Sequence, residues 1–195
     1  MSAEEGAALG TNAAMPDLHA LAERLGDAAL AVGAPLGQPT LLLECGKLRE
    51  SVKWLRDERG YQFLRSVTAV DFPEVEPRFQ VVYHLMAMPQ SALDGNPTPT
   101  ADAPFRALRL KVPVSAEDAC VDSLVPLYET ANWLEREVWD LFGIDFADHP
   151  DLRRILLPET FEGHPLRKDH PIEYEEVAFS FNQDEIHRRK AFAKK

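Results

Sequence analysis

The chain has 195 residues, enough for one domain and an arm but crowded for two, and its 45% apolar residues can bury a core. A net charge of −11 excludes nucleic acid as the main partner and disfavours direct adsorption to anionic lipid, since both need a basic footprint. No apolar run approaches the ~20 residues that cross a bilayer, and Cys45 and Cys120 are far apart, with no thiolate cluster for iron–sulfur or structural zinc.

Residues 1–16 are Ala-rich, carry Glu4 and Glu5 and lack arginine. They read as a flexible tail without signal-peptide or transit-peptide character, which suits the cytoplasmic side of a bacterial cell. A helix is predicted from Pro16-Asp17, with Asp17 as its cap and Leu18, Leu21, Leu25 and Ala29 on one face. Gly33, Pro35, Gly37 and Pro39 make a turn. Leu41–Leu43 reads as a short buried strand. Lys47–Glu58 is helical, with Leu48, Val52 and Leu55 aligned and Gly60 as the stop.

Three strand-like runs follow: Tyr61–Phe72, Arg78–Met88 and Arg106–Val112. The second is apolar on both faces and reads as central. Pro89–Pro104 between the last two is a long polar hairpin loop. Ser115–Asp118 resembles a capping signal. A strong helix is predicted after Pro126, with a stripe of Leu127, Ala131, Leu134, Val138 and Leu141, closed at Gly143 by a left-handed turn. The order α-β-α-β-β-β-α predicts a compact α+β domain over residues 17–146, with helices packed on a mainly antiparallel sheet. Residues 147–195, with Pro150, Pro158, Pro165 and Pro171, predict an extended proline-rich arm with a basic end at His187–Lys195.

Trp133–Pro171 concentrates the chemistry, with three of the six histidines and two of the three tryptophans. Glu137, Asp140, His149, His164, Asp169 and His170 are types that bind iron, manganese or zinc. Their spacing opposes a metal site, because no pair aims two ligands from one helix turn in an HxxxH or ExxH pattern. Glu137 and Asp140 could share a face, but Arg136 can pair with Asp140 four residues on. Ser66, Ser123 and Ser180 lack the context of an activated nucleophile. The spacings suit an interface better. One helix face is expected to bury the apolar stripe and the other to present Glu135, Arg136, Trp139 and Asp140, followed by an arm ordered on a partner. Pattern alone leaves open whether these charges pair within the domain.

Glu135-Arg136-Glu137, Asp140–Ile144, His149–Leu156 and Glu162–Asp169 with Pro171 resemble the signature of the 30-kilodalton subunit family of respiratory complex I. The resemblance implies a subunit of NADH–quinone oxidoreductase that carries no flavin, iron–sulfur cluster or catalytic residue of its own, those cofactors residing on other subunits. It implies peripheral-arm neighbours, chiefly the large hydrogenase-like quinone-site subunit, and a peripheral place on the cytoplasmic side of the inner membrane. The expected interface residues are Glu135, Arg136, Glu137, Trp139, Asp140, His149, Asp151, Arg153, Arg154, His164, Arg167, Lys168 and Asp169. The rival readings are the equivalent subunit of a membrane-bound hydrogenase or ferredoxin-fed oxidoreductase, and a stand-alone metallohydrolase using His149, His164 and His170.

Overall fold

The computed structural model describes residues 13–89, Asp94 and 105–171. The predicted tail up to residue 12, most of the Pro89–Pro104 loop, Ser180 and the basic end at His187–Lys195 lie outside them. The elements run α1 (Met15–Leu25), β1 (Ala29–Gly33), β2 (Thr40–Leu43), α2 (Leu48–Arg59), β3 (Phe63–Asp71), β4 (Phe79–Ala87), β5 (Arg106–Val114), β6 (Cys120–Asp122), α3 (Ala131–Phe142) and β7 (Asp145–Ala147). The first five strands form one sheet in the order β1-β2-β5-β4-β3, in which only β2 and β5 run parallel. Strands β6 and β7 form a separate parallel ribbon. The α+β class and the mainly antiparallel sheet agree with the sequence prediction.

The core lies between the helices and one face of the sheet. Leu18 and Leu21 of α1, Leu48, Val52 and Leu55 of α2, and Val138 and Phe142 of α3 join Val81, Tyr83, Leu85, Leu108, Leu110 and Val112 in one cluster. Each such large side chain contributes about 1.5–3 kcal/mol by leaving water. Strand β4 lies inside the sheet between β5 and β3, as predicted, but only one of its faces is fully buried, and Gln80, His84 and Met86 on the other are half-buried.

Four local expectations are corrected. Helix α1 ends at Leu25, where Gly26 takes a positive φ of 57°, and Ala29 opens β1, a strand the sequence did not reveal. Asp17 is not the cap. It sits in the first turn and accepts hydrogen bonds from the Tyr61 hydroxyl (3.0 Å) and from Arg106. Ser115–Asp118 starts no helix: Ser115 Oγ accepts the Glu117 N–H in a turn that leads to β6. Leu127 therefore precedes α3, its N–H bonded to the Leu124 carbonyl. Gly60 stops α2 as predicted, with φ of 75°, and Gly143 takes the predicted left-handed conformation, with φ of 67°.

Candidate functional site: a helix terminus capped by the returning chain

Helix α3 leaves its last carbonyls without helical partners. The chain after β7 comes back to supply them. The Gly143 N–H bonds the Trp139 carbonyl at 2.8 Å. His164 Nδ1 donates to the Asp140 carbonyl at 2.9 Å, and the Leu166 N–H bonds the Leu141 carbonyl at 3.1 Å. Arg167 donates to the Phe142 and Gly143 carbonyls at 2.5 and 3.0 Å. Its positive charge also complements the negative end of the helix dipole. Gly143 is the closest point of approach. A Cβ there would lie 2.5 Å from the His164 ring and 2.7 Å from Arg167.

Asp140 is the centre of the arrangement. Its side chain is fully buried, and Oδ2 accepts the N–H groups of Ile155, Leu156 and Leu157 at 3.1, 2.8 and 3.0 Å. Oδ1 pairs with Arg154 at 2.6 Å. Burial pushes the carboxyl up. The Leu157 and Leu156 amides, Arg154 and the Ile155 amide outweigh it and hold the group below the usual carboxylate range. Arg154 also donates to the Phe161 and Gly163 carbonyls. Arg136 does not take the predicted pairing with Asp140. It donates to the Arg153 and Arg154 carbonyls at 3.0 and 3.3 Å and lies over the Trp133 ring.

Glu135 anchors the other end of α3. Also fully buried, it accepts Ser123 Oγ and the Leu124 N–H, both at 2.7 Å. Burial pushes its carboxyl up to about 7, against the pull of those two donors and of Arg49. Its Oε2 is 4.0 Å from His149 Nε2. That nitrogen faces the Asn132 carbonyl, so it carries the proton, while Nδ1 accepts the Asp151 N–H.

The expectation that Glu135, Arg136, Trp139 and Asp140 form one outward face is thus corrected for Glu135, Arg136 and Asp140. They are buried and bonded within the chain, and Trp139 is half-buried beside His164 and Arg154. Glu137, Asp151, Arg153, Lys168 and Asp169 are exposed. Asp151 pairs with Arg153, and Asp169 with Arg78. Trp133, Leu156 and Leu166 are large apolar side chains left in water, Trp133 at 64% exposure. The three histidines of the metal reading go to separate places. His149 lies beside Glu135, His164 beside the Asp140 carbonyl and His170 against Phe161. Among the described residues, no three metal-binding groups converge.

Two supporting residues were missed in the sequence. Asp71 takes both arms of Arg78 at 2.7 and 2.8 Å and accepts the Lys168 N–H at 2.7 Å. Its signal was present: Val67, Ala69 and Asp71 share the buried parity of β3, and an acid at a core position needs a partner. Arg49 of α2 ties β6 to β7 through the Ser123 and Ala147 carbonyls and Asp148, and helical spacing gave no hint of it.

The respiratory-chain NADH dehydrogenase 30 Kd subunit family model matches residues 42–176. The chain is 42% identical over 179 residues to an NADH-quinone oxidoreductase subunit of Roseiflexus castenholzii, spanning 91% of this chain and 95% of that protein. It is 40% identical over 153 residues to the corresponding protein of Citrifermentans bemidjiense, spanning 78% and 86%. Among solved structures, the trypsin-resistant fragment of Nqo5 is 29% identical with a TM-score of 0.57, over 71% of this chain and all of the fragment. A chain of an archaeal membrane-bound sulfane sulfur reductase has a TM-score of 0.60 at 16% identity over 90% of each chain, which is likeness of fold alone.

Proposed function

This chain belongs to the 30-kilodalton subunit family of respiratory-chain NADH dehydrogenases, and on that footing we propose that it is a cofactor-free scaffold of the peripheral arm that docks the large quinone-site subunit of a proton-translocating NADH–quinone oxidoreductase. In this reading flavin and iron–sulfur clusters sit on other subunits. The chain reaches the membrane through the assembly, on its cytoplasmic side, and no described helix is long and apolar enough to cross a bilayer. The predicted division, a domain over residues 17–146 and an arm over 147–195 that docks on partner subunits, belongs to the same proposal, and residues 172–195 of it lie outside those described.

One observation carries it. The charges of the family signature are engaged within the chain: Arg136, Asp140 and Arg154 hold the segment that returns after β7, and Glu135 holds Ser123 and Leu124 ahead of α3. Exposed along the same signature are Trp133, Leu156 and Leu166, together with Glu137, Arg153 and Lys168. Exposed aromatic and aliphatic side chains mixed with charge are the composition of a docking surface. The proposed interface therefore shifts from the buried members of the predicted set to its exposed members and these three apolar neighbours.

The isolated chain should purify without iron or flavin, and stoichiometric iron or flavin on it would overturn the reading. Trp133→Ser with Leu156→Ser should leave the melting of the free chain unchanged and reduce its retention in the assembly. Normal retention would remove this patch from the interface.

A further inference from the structure

Among the described residues, the helices pack on one face of the five-stranded sheet. On the other face, cross-strand partners line up in rows. Thr68, Val82, Lys111, Leu42 and Ala31 make one row, and Ser66, His84, Arg109, Thr40 and Gly33 the next. Val82 is buried yet stands outside the main core cluster. Val70 and Leu42 add further apolar surface.

The charge on this face is of one sign. The five strands contain a single carboxylate, Asp71, and it is turned inward against Arg78. Arg109 and Lys111 stand on the open face, and the exposed Arg65 lies at the bulge of the edge strand β3. Among the described residues none of these three makes an ion pair. Arg109 donates instead to Thr40 Oγ1 at 3.1 Å. The field is felt by its neighbour: His84 is pushed below its ordinary value by burial and then by Arg109 and Arg65. In a chain of net charge −11, a sheet face free of acid departs from the composition around it.

We propose that this helix-free face seats an acidic, partly apolar surface of a neighbouring protein subunit, with Lys111 and Arg109 at its centre. It is a second docking surface, across the sheet from the capped terminus of α3. The inference rests on the proposed function only for the existence of an assembly. Charge complementarity selects the occupant. A polyanion such as nucleic acid or a lipid surface would be repelled by the rest of this acidic chain, whereas a local acidic patch on a protein would not. A symmetric pairing of two copies through this face would set Arg109 and Lys111 against themselves.

The test uses the tagged full-length chain in cells that carry the rest of the assembly. Co-purification of the wild-type chain with NADH dehydrogenase activity tests the proposed function separately. Arg109→Glu with Lys111→Glu is then compared with Lys53→Glu, a single reversal at an exposed position of α2. The double variant should lose roughly tenfold or more of its retention while Lys53→Glu keeps it. Because charge reversal could unfold the chain, carbodiimide coupling on the wild-type assembly gives a second readout. Lys111 should form an amide with an aspartate or glutamate of another subunit. Undiminished retention of the double variant, or coupling of Lys111 to residues 90–104 or 172–195 of its own chain, would overturn the proposal.

Discussion

Asp140 shows how a single residue is used. Its carboxylate accepts three consecutive backbone N–H groups and one guanidinium, and it is shielded from water. Asp140→Asn keeps the shape, loses the charge and can offer only one carbonyl oxygen to four donors. We expect a loss of about 2–4 kcal/mol in urea unfolding, the cost of leaving buried donors and Arg154 poorly paired. Gly143→Ala tests the adjacent constraint. Its positive φ costs an alanine about 1 kcal/mol, and the added methyl must also displace His164 or Arg167. A drop of about 2 kcal/mol or more is expected, and a neutral substitution would contradict the close approach. The role of Gly143 was legible, since a glycine closing an apolar stripe announces a left-handed turn. The partner of Asp140 was not. Spacing sees Arg136 four residues away, but Arg154, fourteen residues on, arrives with three amides that no local rule counts.

At the scale of elements, the helix and the segment after it are one unit. The carbonyls that α3 leaves open are filled from residues 164–167, and Arg78 clamps the same segment through Asp169 while Asp71 accepts the Lys168 N–H. The segment has little apolar surface of its own, so these bonds decide whether it stays down. Arg167→Ala should free it. Limited proteolysis within residues 150–165 is expected to speed up about tenfold, with the helix signal in circular dichroism nearly unchanged. Equal cleavage rates would mean that the remaining contacts suffice. Pattern read α2, α3 and β3–β5 well because each is long enough to show its period. It missed β1, β6 and β7 because strands of three to five residues show too little alternation, and the alanines of β1 look helical. Proline spacing correctly removed helix from 148–171. It carried no information on direction, and the described part of the predicted arm turns back along the domain instead of leaving it.

For the whole molecule, the buried carboxylates predict a stability profile with opposing limbs. Asp71 is held below the usual carboxylate range chiefly by Arg78, and Asp140 by its amides and Arg154 against its burial. Their contribution is present above the unfolded carboxyl value of about 3.9 and fades as pH falls through it. Glu135 has the opposite sign. Raised to about 7 in the fold, it holds its proton more tightly folded than unfolded. Its contribution is full below the unfolded value of about 4.3 and is lost as pH rises toward 7, with a slope of at most about 1.4 kcal/mol per pH unit. Above that the carboxylate is charged in both states and the slope ends. Stability should therefore peak near pH 4–5 and decline to neutrality. The net charge of −11 pushes the same way, because self-repulsion grows as acids ionise, so the profile of the wild-type chain alone does not identify the group. Glu135→Gln separates the two. Glutamine can still accept the Leu124 N–H and donate to Ser123, but it has no proton to lose. Urea midpoints of the variant should run flatter between pH 5 and 7 while those of the wild-type chain fall, and the two curves should converge toward the acid side. Parallel curves across that window would show that Glu135 is ionised in the fold and that Ser123, Leu124 and Arg49 outweigh its burial.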